Sequence, residues 1–214
     1  MQLSAIRTET RNLLDDVDGD RWSNNDIDLY INQAQYDFNV LTQIYRGSVD
    51  INLTANTSVY TVTGDDIIGP ILRLDGYTAA NVGDSISATS QEKLDVLKPG
   101  WFSDAGTAIP KFFMRSKEDF KKFQIYPKSL TTTSLGYPIL KVYAAKVPPT
   151  LSADGNIPVI PVEYHHALPY GAAARALQRN NDALSVQLAQ SYDAKFKEYV
   201  ATAQAIAKVS FYSG

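Results

Sequence analysis

The sequence predicts an α+β protein: a helical bundle built from both ends of the chain, with a mostly antiparallel β domain inserted between its halves. Three observations predict it. Apolar residues recur at three- and four-residue steps over residues 1–47 and again after Pro161, the period of a helix with one buried face. From Gly47 the period changes to two, with Val49, Ile51 and Leu53 alternating with Asp50, Asn52 and Thr54. Clusters such as Gly64-Asp65-Asp66, Lys98-Pro99-Gly100 and Asp154-Gly155 punctuate the middle of the chain as turns. The expected division is therefore residues 1–47 with 161–214 as a discontinuous bundle, and 48–160 as the β domain.

In chain order, Leu3, Ile6, Leu13, Leu14 and Val17 predict a first helix with Ser4 as its cap and Gly19 as its stop. The strongest local signal follows. Ser23 and Asp26 stand three apart as an acidic capping box, and Trp22 and Ile27 flank it as a hydrophobic staple. Ile27, Tyr30, Ile31, Ala34, Phe38, Leu41 and Ile44 then form one apolar stripe that ends at Arg46-Gly47. Strands are expected at 49–53, at 58–63, and over Ile71–Leu74, Lys111–Arg115, Phe120–Tyr126 and Ile139–Ala145. After Pro161, Tyr164, Ala167, Leu168, Ala172 and Ala176 predict a helix in which Pro169 either makes a kink or marks the true start. Asn180-Asn181-Asp182 makes a turn, and Leu184, Leu188, Tyr192, Phe196, Tyr199, Ala203 and Ile206 give the last helix its buried face.

Composition closes off several kinds of chemistry. The 214 residues include no Cys, so disulfides, thiolate metal sites and cysteine nucleophiles are excluded. The two His, His165 and His166, are adjacent and about 100° apart on a helix, so they cannot chelate one ion as an i, i+4 pair would. A role in packing or at an interface is expected for them. Asp15, Asp16, Asp18 and Asp20 suggest calcium, but Arg21 and Ile27 stand where an EF-hand needs Gly and Glu, so a charged helix-to-helix turn is expected. No GxGxxG, GxxxxGK[ST] or GxSxG string occurs, so dinucleotide, P-loop and α/β-hydrolase chemistry has no support, and nothing in the sequence favours a carboxylate pair for glycoside hydrolysis; no enzyme, cofactor or metal is expected. With a mean hydropathy of −0.20 and no apolar run of signal or membrane-span length, a soluble protein made in a cytoplasm is expected.

Charge is segregated within a formal total of −3. Residues 1–47 carry −4 and 48–97 carry −5, whereas 98–146 carry +6. This pattern fits self-association, an acidic face on one subunit meeting a basic face on the next; the plain alternative is a solvated surface. The basic residues Lys111, Arg115, Lys117, Lys121, Lys122 and Lys128 alternate with Phe112, Phe113, Phe120, Phe123 and Tyr126. Bases of a single strand could stack on such a sheet, but aromatics on alternating strands more often face the core. A charged subunit interface or a channel wall facing duplex DNA is the better use of those cations.

Several strings together resemble a known family. Residues 3–38, LSAIRTETRNLLDDVDGDRWSNNDIDLYINQAQYDF, look like the opening of head-to-tail adaptor proteins of tailed bacteriophages. LDVLKPGWFSDAGTAIPKFFM at 94–114 and FQIYPKS at 123–129 are similar to that family's Trp-x-x-x-x-Gly-x-Pro stretch and its strand ending in Tyr-Pro. IPVIPVEYHHALPYGAAARALQRNND at 157–182 resembles its C-terminal helical pair. Pro169 and the wider spacing of Ala105-Gly106-Thr107-Ala108-Ile109-Pro110 depart from the pattern.

The resemblance implies a structural protein of the virion neck: a ring, usually of about twelve copies, beneath the portal at the capsid vertex. Such a ring extends the DNA channel and docks the next tail or neck component. Its partners would be further copies of itself, the portal protein, that downstream component, and duplex DNA in passing contact. In this family the C-terminal segment commonly enters the portal. Here that implies Tyr199 and Ile206, with Val209, Phe211 and Tyr212 as apolar anchors after the helix. The other reading is a tail or baseplate module that recognises a polymer through β-domain loops, with Trp101 and Phe102 exposed to meet it.

Overall fold

The computed structural model of the chain describes residues 1–64, 66–77, 82–104, 109–128, 139–180 and 182–212, with the backbone alone for 77, 82–84 and 207–212. In chain order the elements are α1 (Leu3–Leu14), α2 (Asn24–Thr42), β1 (Arg46–Asn52), β2 (Val59–Thr61), β3 (Ile67–Tyr77), β4 (Val82–Ala88), α3 (Gln91–Leu97), β5 (Phe112–Arg115), β6 (Lys122–Tyr126), β7 (Ile139–Lys146), α4 (Ala167–Gln178) and α5 (Ala183–Tyr212). The fold is α+β. Helices from both ends pack together in one compact unit, Met1–Tyr45 with Val147–Gly214, and a seven-stranded sheet occupies the other, Arg46–Lys146.

In the helical unit, α1, α2, α4 and α5 share one core that includes Leu3, Ile6, Leu14, Ile27, Ile31, Phe38, Leu168 and Phe196. Helix α2 starts as its sequence requires. The Ser23 hydroxyl accepts from Asp26 N–H while the Asp26 carboxylate accepts from Ser23 N–H, satisfying two orphan donors reciprocally. Trp22 and Ile27, the two halves of the staple, are both buried in the same core. The helix ends earlier than its apolar stripe implies. It stops at Thr42, Gln43 is left-handed at φ 53°, and Arg46-Gly47 already belong to β1. Leu41 is accordingly exposed.

Other expectations are corrected at the same level. Ser4 does not cap α1; Gln2 holds that position without a side-chain bond. Val17 lies outside α1 and is 68 % exposed. Of the two expectations for Pro169, the helix start rather than the kink is met: α4 begins at Ala167 and the ring falls in the first turn, where its missing N–H is an orphan in any case. In α5 the stripe is buried from Ala189 through Phe196, Val200 and Ala203, while Leu184 and Leu188 face solvent. Asp182 caps this helix by accepting from Ser185 N–H at 2.8 Å; its neighbour Asn181 lies outside the described residues.

Residues 147–160, expected from the sequence as the end of the β part, run along the helical unit without regular structure and bury Leu151 and Ile160 in its core. Side chains of α2 replace the missing ladder. Asn32 accepts from Leu151 N–H at 2.7 Å and donates to its carbonyl at 3.0 Å. The buried Gln35 donates to Pro149 O and accepts from Val159 N–H. A buried extended segment must find such partners or carry unpaired backbone.

In the β unit the strand order is β1-β7-β3-β4-β5-β6-β2, and every neighbouring pair is antiparallel except β4–β5. Strand β3 carries irregular register around Gly69-Pro70, where a residue without N–H can be tolerated. Leu74, Ile86, Phe113, Phe123, Ile125, Leu140 and Val142 form the core on one face. A satellite core of Leu94, Trp101, Met114 and Tyr126 holds α3 and the short 3-10 turn Trp101–Ser103. Strand β4 and helix α3 carry no strong sequence signal and are additions to the expected elements.

Candidate interaction surfaces

The expected portal-binding residues lie on α5. Tyr199 is half-buried and stacks on Tyr170 with ring centroids 6.3 Å apart, and Tyr170 in turn meets Tyr192 at 6.1 Å. Together with Glu9, Asn12, Leu13, His166 and Pro169, Tyr170 and Tyr199 line a groove of about 340 Å³. Ile206 is 57 % exposed on the same helix. Val209, Phe211 and Tyr212, expected after the helix, instead lie within its backbone, which runs to Tyr212; their side chains lie outside the described part of the chain.

The two histidines have different roles. His166 is exposed, with Nδ1 3.4 Å from the Glu9 carboxylate. His165 is 2 % exposed, and its Nε2 bonds to the Ile160 carbonyl at 2.9 Å. Burial pushes the His165 pKa below its ordinary value. The unfolded chain therefore binds this proton more readily, so stability is intact above the ordinary histidine pKa and falls as pH drops through and below it. A His165→Gln variant should lose that part of the slope, read as urea midpoints between pH 7 and pH 5. An unchanged slope would contradict the assignment.

In the β unit, the structure brings three of the six expected basic residues together. Arg115, Lys117 and Lys122 line a groove of about 550 Å³, with Val59, Glu92, Met114 and Phe123 among the other walls. Each cation has a local commitment. Arg115 donates to the β3 carbonyls of Ile71 and Leu72, Lys117 pairs with Glu92 at 3.3 Å, and Lys122 pairs with Asp119 at 3.6 Å. Glu92 is held down to about 2 by its own N–H at the start of α3, the Ser90 hydroxyl and Lys117. Lys121 donates to Gly64 O at 2.7 Å and Lys128 to Phe102 O at 3.0 Å, away from the groove walls. Lys111 lines a different, apolar cavity of about 420 Å³ with Leu53, Ile86 and Leu140. The interleaved aromatics point inward: Phe113, Phe123 and Tyr126 are buried, and Phe120 alone of the five is exposed.

Trp101 is buried where exposure was expected. It is 3 % exposed, donates from Nε1 to Asp95 at 2.8 Å and meets Tyr126 edge-on at 5.5 Å. A polymer-reading loop built on Trp101 therefore loses its principal residue, although Phe102 beside it is 63 % exposed. Residues 105–108, which carry the widened Gly-to-Pro spacing, lie outside the described residues.

The sequence does not single out the exposed apolar residues Val96 and Leu97 of α3, or the outer face of α2. Among the described residues no group of three or more His, Asp and Glu is placed to hold a metal ion, and no helix is long and apolar enough to cross a membrane.

Large apolar side chains left exposed, such as Val96, Leu97, Phe102 and Ile206, fit a protein that works by contact with other macromolecules. The particular kind is given by comparison with known proteins. The SU10 adaptor protein model matches residues 1–211, and the chain belongs to that family of phage head-to-tail adaptors, structural proteins rather than catalysts. No curated protein matches the chain. Membership implies contact with other components of the phage virion.

Proposed function

We propose that the chain assembles into a closed ring of about twelve copies beneath the portal, where it extends the DNA channel and docks the next tail component. The observation that carries this reading is the family match over nearly the full chain. Segregated charge supports it, since contacts around a ring join two different faces, which must complement each other. The C-terminal end of α5, from Tyr199 onward, enters the portal, with Ile206, Val209, Phe211 and Tyr212 as its apolar contacts. The cations Lys111, Arg115, Lys117, Lys121, Lys122 and Lys128 serve the ring interface or face the channel.

Two experiments test these assignments. A chain ending at residue 206 should lose at least about tenfold in retention on a portal preparation while keeping its melting temperature, because apolar anchors dominate such interfaces. Undiminished retention would remove the C-terminal end from the portal contact. Charge reversal of Lys121→Glu with Lys122→Glu should impair ring assembly or DNA retention and leave the circular dichroism spectrum unchanged. Normal rings and normal virions from that variant would remove these lysines from the account.

A further inference from the structure

Aspartate followed by glycine is the step at which a polypeptide most readily rearranges its own backbone, because a residue without Cβ leaves its amide nitrogen unhindered. The chain has three such steps, Asp18-Gly19, Asp75-Gly76 and Asp154-Gly155, and the fold treats them differently. Asp75 has a side chain 2 % exposed, pairs with Arg73 and lies in β3, with Gly76 opposite Leu140 of β7 in the ladder. Asp18 is exposed, but the Gly19 N–H donates to Asp16 O at 3.1 Å and the Arg11 guanidinium crowds that glycine. At the third step neither protection holds. The Asp154 side chain is 73 % exposed, and the Gly155 N–H has no acceptor among the described residues. A Cβ built on Gly155 would meet nothing within 4 Å. The Asp154 carboxylate accepts from Arg7 Nη1 at 2.9 Å, yet Arg7 also makes two bonds to Asp28, at 2.8 and 2.7 Å, and keeps them when Asp154 leaves. A pair exposed on one side in this way holds its carboxylate weakly.

We propose that Asp154-Gly155 is a site of spontaneous isoaspartate formation in the folded chain. With the carboxyl group protonated, the Gly155 nitrogen attacks Asp154 Cγ. An N–Cγ bond forms, the Cγ–O bond breaks, and the amide proton leaves with the hydroxyl as water. Water then adds to the resulting succinimide ring. Opening at the new N–Cγ bond restores aspartate. Opening at the original peptide bond leaves the main chain running through Cβ and Cγ, with the former carbonyl carbon as a free carboxylate. Nothing is oxidised or reduced, and the water released is taken up again.

The turn that contains this step also holds the start of α1. The carbonyls of Asp154 and Asn156 accept from Ser4 N–H at 3.2 Å and from Leu3 N–H at 2.8 Å, at a helix N-terminus that has no side-chain cap. Asn156 folds the turn back on itself by accepting from Ser152 and Ala153 N–H. A longer main chain at residue 154, without its carbonyl, displaces these acceptors. Conversion therefore loosens the start of α1 and lowers the stability of the helical unit as the protein ages.

The test incubates the purified chain at mildly acidic pH, folded and in urea, and locates isoaspartate by electron-transfer fragmentation of its peptides. In the folded chain, isoaspartate at 154 should exceed that at 75 by at least about tenfold, since β3 must open before Asp75 can react. It should also exceed that at 18. In urea the three steps should convert at similar rates. Gly155→Ala, for which there is open space, should match the fresh wild type in melting temperature and suppress conversion at 154 alone. After incubation it should melt above wild type treated alike. A folded chain that converts as fast at Asp18 or Asp75 as at Asp154, or one that converts in urea but not when folded, would overturn the proposal. An aged chain modified at Asp154 that melts like a fresh one would overturn the consequence for α1.

Discussion

Replacing Gly171 by leucine should cost the helical unit about 3 kcal/mol or more, among the largest effects expected of any single substitution in this chain. Gly171 sits on α4 where three helices converge. A Cβ built there would lie 2.9 Å from the Ala34 Cβ of α2 and 2.9 Å from Phe196 Cδ2 of α5. Both neighbours are fully or almost fully buried, so neither has room to retreat. Alanine at this position should be far milder. Its better helix propensity returns about 1 kcal/mol against an overpacking cost of about 1–3 kcal/mol. The order wild type, Ala, Leu in urea midpoints is thus the expected result. A leucine variant as stable as the wild type would mean that the three helices do not approach one another this closely.

The second large effect is expected at the turn between α1 and α2. Asp16 has a side chain only 3 % exposed and accepts from Arg11 Nη1 at 2.8 Å, Arg21 N–H at 2.9 Å and Trp22 N–H at 3.3 Å. Arg11 continues across the turn to the Trp22 carbonyl and the Asn24 side chain, both at 2.9 Å. Gly19, at φ 78°, lets the chain pass beside that guanidinium; an added Cβ would lie 3.0 Å from it. Asp16→Ala would take the carboxylate away from the partly buried Arg11, which keeps only neutral acceptors, and leave the Arg21 and Trp22 N–H groups without theirs, a loss of about 3 kcal/mol. Asp18→Ala, in the same acidic run but exposed, should change stability by less than about 0.5 kcal/mol. Equal effects from the two substitutions would show that the run acts as undifferentiated surface charge.

That contrast shows where sequence reasoning reaches its limit. Asp15, Asp16, Asp18 and Asp20 look alike in one dimension, and only the path of the turn makes Asp16 a buried acceptor. The start of α2 was legible because a capping box is local, confined to Ser23 and the next three residues. Its end was not. Leu41 and Ile44 prolong the apolar period, while the chain is turned out by Asn39, whose side chain accepts from Tyr45 N–H at 2.7 Å and donates to its carbonyl at 3.2 Å. A buried polar side chain that substitutes for backbone leaves no trace in hydrophobic periodicity. The same holds for Asn32 and Gln35, which draw residues 147–160 onto the helical unit. Strand β4 was hidden because Val82-Gly-Asp-Ser-Ile-Ser-Ala offers few apolar residues, and its place in the sheet depends on backbone pairing with β3 and β5 rather than on its own pattern.

The candidate surfaces were legible in part. Composition marked the basic stretch, and the structure gathers Arg115, Lys117 and Lys122 around one groove while committing each to a nearby acceptor. Val96, Leu97 and Phe102 were obscured for the opposite reason: an apolar residue in a sequence is read as core until its exposure is known. Trp101 and Phe102 are adjacent and similar in chemistry, yet one is buried and the other is not.

The central claim is that this chain works as a ring at the portal, and the most direct test is the mass of the purified chain in solution, with and without a portal preparation from the same phage. The account predicts a ring of about twelve chains, either preformed or appearing only when the portal is present. A monomer or trimer whose mass is indifferent to the portal would contradict it.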